Sequence, residues 1–163
     1  MSLPSNYTLA YLNDSFTVTS RPLTIKADAK SKVFGEVDPS LTYQITSGSL
    51  AFQDTLSGNI NRTSGDKVGK YAINQGTLSM NSNYTFTYIK DSLTITPRII
   101  TLKADSANKT YGDTDPILTY KIVSGNLIGT DSISGKLVRT AGENMGKYSI
   151  NKGTLSTLSL IHI

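Results

Sequence analysis

Two stretches of this chain carry the same unusual string. Residues 109–120 read KTYGDTDPILTY, and residues 32–43 read KVFGEVDPSLTY. The strings lie 77 residues apart and agree at Lys, Gly, Asp-Pro and Leu-Thr-Tyr. Because self-similarity at a fixed period is the signature of repeat architectures, the same offset should align the rest of the chain.

The offset of 77 residues aligns nearly the whole sequence without a gap. The tripeptide GKY at 69–71 recurs at 146–148, and NYT at 6–8 recurs at 83–85. Such a register indicates a tandem duplication, and it makes each repeat a small module with a modest core.

This register predicts the domain organisation. Residues 1–20 are the tail hairpin of a preceding repeat, residues 21–97 are one complete repeat, and residues 98–156 are a second repeat that lacks its terminal hairpin. Residues 157–163 form an aberrant tail, TLSLIHI, for which a divergent terminal strand and a foreign sequence both stay open, so no functional argument uses it. We also expect copies of the chain to exchange hairpins head to tail.

Composition argues against several classes of protein. The net charge is +4, but the 16 Lys and Arg residues are scattered, which does not favour nucleic-acid binding or a membrane-binding helix. The chain has no Cys, so it can form neither a disulfide framework nor a Cys-based metal site. No apolar stretch approaches the length of a membrane-spanning helix, and we predict no membrane insertion and no cofactor.

Alternation with period two predicts short strands throughout. Residues 84–88 (YTFTY) and 93–96 (LTIT) alternate apolar residues with Thr, and residues 7–19 repeat this pattern. The residues between 88 and 93 predict a hairpin connection. Helical signal is limited to one turn at 49–56 and its counterpart. The sequence therefore predicts a mostly β fold with at most a short helical turn in each module.

Proline marks the seams between repeats, at Pro22 and Pro97. No Gly/Ser-rich linker separates the modules there, and a short, proline-stiffened joint is typical of semi-rigid spacers. We therefore expect an elongated array of small modules.

The repeated string predicts a strand end, a tight turn and a strand start. Gly follows an aromatic residue, Asp-Pro favours an extended or turn geometry, and Leu-Thr-Tyr opens the next strand. The structural motif residues are Gly35, Asp38, Pro39, Tyr43, Gly112, Asp115, Pro116 and Tyr120.

These residues also carry a family resemblance. The pattern Lys-x-(Tyr/Phe)-Gly-x-x-Asp-Pro-x-Leu-Thr-Tyr, followed by Ser-Gly, Gly-Lys-Tyr and Asn-Tyr-Thr, resembles the MBG domain found in tandem arrays of large bacterial surface proteins and haemagglutinin-like adhesins. The resemblance covers residues 1–156, with Phe34 and Glu36 in place of the commoner Tyr and Asp. It implies a small β-rich fold related to mucin-binding and β-grasp-like modules, an extracellular, cell-surface or secreted location, and no catalytic residues.

Residues that could carry chemistry are few. The only histidine, His162, lies in the tail, so the repeats contain no Ser/His/Asp set and no His-based metal site, and we predict no enzyme. Glu36 with Asp38, and Asp113 with Asp115, form acidic pairs in the predicted turns. A structural turn is the favoured interpretation, and weak calcium binding is the alternative, since oxygen-rich loops can bind this ion.

Two functions stay open. The first is a stalk or spacer whose partners are neighbouring repeats of the same chain. The second is an adhesion module that binds a host or matrix glycan, mucin or protein through an exposed aromatic patch or strand edge. The burial of Tyr43, Tyr71, Tyr84 and Tyr88 distinguishes them, since inward tyrosines favour the spacer.

Overall fold

The computed structural model describes residues 6–158 of the 163 residues, and within them the chain forms thirteen β-strands and no helix. The strands are β1 Arg21–Ala27, β2 Lys30–Val33, β3 Tyr43–Ser47, β4 Asn61–Arg62, β5 Gly69–Asn74, β6 Tyr84–Ile89, β7 Asp91–Thr96, β8 Thr101–Ala104, β9 Tyr120–Ser124, β10 Ser132–Ser134, β11 Val138–Arg139, β12 Ile150–Asn151 and β13 Ser156–Leu158. The mostly β fold is confirmed. No helix that could span a membrane occurs in this range.

The first sheet has the order β3-β1-β6. Strand β1 runs antiparallel to β3, with Ile25 opposite Ile45, and parallel to β6, with Thr24 opposite Thr87. Alternation along β1 buries Leu23, Ile25 and Ala27, because successive side chains of a strand point to opposite faces.

The second sheet has the order β2-β7-β5-β4, and it corrects the predicted hairpin. Strands β6 and β7 are separated by Lys90 alone, yet they lie in different sheets. Both edges of β7 are occupied, by β2 and β5, so β6 cannot pair with it and pairs with β1 instead. Residues 84–96 are therefore a strand that crosses from one sheet to the other, as strands at the corners of packed sheets do.

The helical turn considered for residues 49–56 does not form. Phe52 and Gln53 have φ angles of 58° and 91°, on the left-handed side of the map, and the N–H of Asp54 donates to the carbonyl of Ala51 at 2.9 Å. A right-handed helical turn requires negative φ, so this segment is a tight turn.

Smaller sheets repeat the register of the first repeat. Strand β8 pairs with β9, with Leu102 opposite Ile122 and Ala104 opposite Tyr120. The pairing register shifts after Thr101 in β8, as it shifts after Thr24 in β1, one period earlier. The remaining two-stranded sheets are β11-β12 and β10-β13. No strand equivalent to β2 forms between β8 and β9, and no equivalents of β6 and β7 occur within the described range.

The strands predicted for residues 7–19 do not form. Residues 6–20 contain no strand and are exposed throughout. In the complete repeat the equivalent residues pair with β1, β2 and β5, whereas residues 6–20 pair with no strand among the described residues. At the other end, residues 157 and 158 belong to β13, whereas 159–163, including His162, lie outside the described residues.

The chain forms two compact units. One comprises residues 6–30, Ser40–Ser64 and Tyr71–Leu93, and the other comprises Ser31–Pro39, Gly65–Lys70 and residues 94–158. Buried apolar residues of the first unit include Leu23, Ile25, Ala27, Ile73 and Leu78, and those of the second include Ile95 and Leu155. The repeat boundaries at 21–97 and 98–156 describe the sequence period, and they stay a prediction.

Candidate functional site

The repeated motif forms a turn in both repeats. In the first, the N–H of Glu36 donates to the carbonyl of Val33 at 3.1 Å, directly after β2. In the second, the N–H of Asp113 donates to the carbonyl of Thr110 at 3.1 Å. Gly35 and Gly112 have φ angles of 86° and 93°, which explains glycine at this position.

The lysine that opens the motif in the first repeat is almost buried. The Lys32 side chain is 6% exposed, and its Nζ lies 2.7 Å from Oδ1 of Asp38 and 3.7 Å from Oδ1 of Asp66. The same ammonium donates to the carbonyl of Glu36 at 3.0 Å. A buried charge needs such partners, so Lys32 fixes the turn to the Asp of Asp-Pro.

The second repeat builds a larger cluster, which we call the ionic clasp: Lys109, Asp115, Arg139 and Glu143. Lys109 Nζ lies 2.7 Å from both Asp115 Oδ1 and Glu143 Oε2. Arg139 donates through Nε to Asp115 Oδ2 at 2.6 Å and through Nη2 to Asp115 Oδ1 at 3.0 Å and Glu143 Oε1 at 2.6 Å. Two cations and two carboxylates are thus bonded in alternation, with the bidentate geometry that favours Arg.

These contacts shift the pKa values of the ionic clasp. Hydrogen bonds from Arg139 and then Lys109 lower the pKa of Asp115 to about 2. Hydrogen bonds from Lys109 and Arg139 also lower the pKa of Glu143, and the two carboxylates raise the pKa values of Lys109 and Arg139. Every member is therefore charged at neutral pH, which suits a structural ion-pair network and not proton transfer.

An aromatic contact accompanies Arg139 of the ionic clasp and Arg62, its counterpart in the first repeat. The guanidinium of Arg139 lies 5.3 Å from the ring centroid of Tyr148, and that of Arg62 lies 5.4 Å from that of Tyr71. The Tyr148 hydroxyl donates to the carbonyl of Asn144 at 2.7 Å. These pairs explain why Arg and the Tyr of Gly-Lys-Tyr recur together, since Arg stacks well on aromatic faces.

Three of the four acidic residues considered for calcium have other partners in the structure. Glu36 Oε2 accepts the N–H of Val33 at 3.0 Å, Asp38 pairs with Lys32, and Asp115 pairs with both cations of the ionic clasp, while the Asp113 side chain is exposed. Across residues 6–158, no group of three or more His, Cys, Asp or Glu side chains is close enough to hold a metal. The weak calcium hypothesis stays a prediction without a ligand set.

The remaining motif residues start the next strand. Tyr43 and Tyr120 are the first residues of β3 and β9, opposite Ala27 and Ala104. Just before them, the N–H groups of Asp28 and Asp105 donate to the carbonyls of Thr42 and Thr119, and each Thr hydroxyl donates back to the Asp carboxylate. Pro39 is half-buried and Pro116 is exposed.

Sequence reasoning placed the turn but not its partners. It included Lys32 and Lys109 in the repeated string, but it gave neither these lysines nor Arg139 and Glu143 a role in holding the motif. A signal was present, because Arg62 and Arg139, and the acids Asp66 and Glu143, align at the same 77-residue offset as the two lysines.

The tyrosines that discriminate the two functions turn inward. Tyr84 is buried, and Tyr43, Tyr71 and Tyr88 are half-buried. The Tyr84 hydroxyl donates to Asp54 Oδ2 at 2.7 Å and accepts the N–H of Ala51 at 2.8 Å. The Tyr88 hydroxyl is buried and has no hydrogen-bond partner among residues 6–158, and burial raises its pKa.

Comparison with known proteins identifies a family in both repeats. A family model described as MBG domain (YGX type) matches residues 23–94 and 100–158. The matched ranges contain both copies of the turn, with Tyr111-Gly112 in one and Phe34-Gly35 in the other. Neither the curated proteins nor the solved structures contain a significant match to this chain.

Proposed function

The chain belongs to the MBG domain family (YGX type), with tandem copies, and from this premise we propose that it is a stalk or spacer segment of a bacterial cell-surface or secreted adhesin-like protein. Its role is mechanical: each repeat folds, and the number of repeats sets the reach of the array. Its partners are neighbouring repeats, and its location is extracellular.

The contacts made by the residues that recur in both repeats carry this proposal. The Lys and Asp of the motif pair with each other in both repeats, and the aligned Arg stacks on the Tyr of Gly-Lys-Tyr. The four tyrosines named above are buried or half-buried. Side chains already engaged in folding contacts are not displayed for a ligand, which supports a spacer.

The seam between the sequence repeats also supports a spacer. Pro97 lies inside the second compact unit, and beside it Arg98 donates through Nε to the Phe34 carbonyl at 2.9 Å and through Nη1 to Asn126 Oδ1 at 3.1 Å. The N–H of Phe34 donates to the carbonyl of Thr96 at 2.9 Å. A seam with these hydrogen bonds is stiffer than a free linker.

Stretching single molecules of the full chain tests this function. The complete repeat should unfold in one step that releases at most roughly 250–280 Å, the extended length of 77 residues. A gradual extension without a discrete step, or unfolding at negligible force, would contradict a mechanical role.

The alternative function is adhesion, and exposed apolar side chains of the second unit favour it. Tyr111, Ile117 and Met145 are 76%, 91% and 98% exposed. A glycan array and a mucin pull-down with the full chain distinguish the functions. A spacer gives no saturable binding, whereas an adhesion module binds and loses affinity on Tyr111→Ala but not on Tyr148→Phe.

A further inference from the structure

An apolar groove lies open in the second compact unit. Its volume is about 550 Å³, and its lining includes Leu102, Tyr120, Ile133, Leu137, Ile150 and Leu155. We call it the acceptor groove.

Equivalent residues of the first repeat are covered. Ile25 in β1 and Ile73 in β5 are 0% exposed, whereas their counterparts Leu102 in β8 and Ile150 in β12 are half-buried. Strand β1 lies beside β6, and β5 lies beside β7. Strands β8 and β12 have no such neighbours within the described range. The acceptor groove thus corresponds to the position that the β6–β7 crossing strand occupies in the complete repeat.

The chain carries a second copy of that crossing strand. Residues 6–19 read NYTLAYLNDSFTVT and residues 83–96 read NYTFTYIKDSLTIT, with eight identical positions. Phe16 and Val18 align with Leu93 and Ile95 of the complete repeat. Leu93 and Ile95 are 0% and 1% exposed, whereas Phe16 and Val18 are 93% and 82% exposed. We call residues 6–19 the donor segment.

We propose that the acceptor groove of one chain binds the donor segment of a second copy, in the register that β6 and β7 adopt in the complete repeat. Residues 8–19 of the donor segment are exposed and belong to no sheet in their own chain, so they can add a strand to a partner. Binding then removes the side chains of Phe16 and Val18 from water and buries them against an apolar surface, which drives association. The donor segment and the acceptor groove are different surfaces of the chain, so the contact is heterologous and produces chains of copies.

The proposed register fixes which residues meet. Thr24 lies opposite Thr87 in the parallel β1–β6 pair, so Ala10 of the donor should lie opposite Thr101 of the acceptor. Lys26 lies opposite Ile89, so Lys103 should lie opposite Leu12, two residues further along. Neighbouring strands bring paired Cα atoms close enough for a disulfide.

Mixed disulfides between singly substituted chains test the register. The natural chain has no Cys, so Ala10→Cys chains mixed with isotope-labelled Thr101→Cys chains can link only at these positions. We expect the 10–101 heterodimer to exceed both homodimers several-fold by mass spectrometry of the oxidised mixture. A mixture of Ala10→Cys with Lys103→Cys chains is the out-of-register control, and equal yields in the two mixtures would overturn the proposal.

A matched pair of donor substitutions separates groove binding from chance collision. Val18→Asp introduces a charge at the position equivalent to buried Ile95, and Thr19→Asp introduces the same charge at the position equivalent to exposed Thr96. In the Ala10→Cys background, Val18→Asp should reduce the heterodimer to the yield of the control mixture, and Thr19→Asp should leave it unchanged. Neither substitution touches the core of either unit, so equal effects of the two would refute the proposed site.

Discussion

At the scale of single residues, the sequence shows where a turn must occur but not what stabilises it. Gly and Asp-Pro predict the turn locally, because they restrict the backbone. In the ionic clasp, Asp115 pairs with Arg139, which also pairs with Glu143, and both of these residues lie further along the chain. Local patterns cannot predict such contacts, since they depend on the fold that brings distant residues together.

Tyr84 and Tyr88 lie on the same strand but differ in their hydroxyl contacts. Tyr84→Phe should lower the free energy of unfolding by about 1–3 kcal/mol, because it leaves the Ala51 N–H and an oxygen of Asp54 without their partner. Tyr88→Phe should be neutral or slightly stabilising, since its buried hydroxyl makes no hydrogen bond to the described residues. Urea denaturation of both variants measures this difference. Equal losses would show that the Tyr84 network is unimportant.

Asp115 should make stability depend on pH at the acidic end. Its pKa is lowered from 3.8 to about 2, so it contributes stability that is complete above about pH 4 and is lost as the pH falls through about 2. Asp115→Asn should therefore be less stable than the natural chain at pH 5, with the deficit shrinking towards pH 2.

Thermal unfolding from pH 5 to pH 2 measures the effect of Asp115. Asp113→Asn is the control, because the side chain of Asp113 is exposed. A deficit of Asp115→Asn that is constant across this range would contradict the role of the ionic clasp.

Two glycines of the second repeat should respond differently to a methyl group. A Cβ on Gly125 would lie 2.4 Å from the carbonyl oxygen of Ile99, whereas a Cβ on Gly112 would have nothing within 4 Å. Both have positive φ, so each Gly→Ala change should cost about 1–2 kcal/mol from the backbone. Gly125→Ala should cost about 1–3 kcal/mol more, because the chain must move. Chemical denaturation of the two variants tests the order, and a larger loss for Gly112→Ala would contradict it.

At the scale of elements, strands were predictable and their pairing was not. The alternation that predicted residues 84–88 and 93–96 as strands is confirmed by β6 and β7, but the hairpin between them was wrong. A short polar connection looks the same in sequence whether the chain reverses or bends between sheets. Residues 7–19 carry the same alternation and form no strand, because a strand also needs a partner.

Ile73 and Ile150 give a matched test of whether the acceptor groove is open. Both are isoleucines at the same repeat position, but Ile73 is fully buried and Ile150 is not. Ile73→Ala should cost about 2–5 kcal/mol, as a core truncation does, and Ile150→Ala less than about half of that.

Native-state hydrogen exchange at low chain concentration measures both isoleucine variants locally. The cost of Ile150→Ala should rise with chain concentration, because an occupied acceptor groove would bury this residue. Equal costs at low concentration would contradict the open groove.

At the scale of the whole molecule, the 77-residue period was the most informative feature of the sequence. It predicted tandem modules, and the family match at residues 23–94 and 100–158 confirms them. It did not predict the compact units, one of which contains Pro97 together with the segment Ser31–Pro39. A repeat in sequence records how the gene was duplicated, whereas a compact unit records which residues pack together.

The parallel pairing of β1 with β6 has a consequence for how tandem copies refold. During folding, β6 can pair with either of two strands of similar sequence, β1 or β8. Residues 28–83 form the loop between β1 and β6, and residues 90–100 form the loop between β6 and β8. The loop to β8 is about five times shorter, which favours the wrong encounter by about 1.4 kcal/mol of closure entropy. Faithful renaturation of an array therefore depends on contacts formed later, and a longer array offers more opportunities for strands to be exchanged between neighbours during folding.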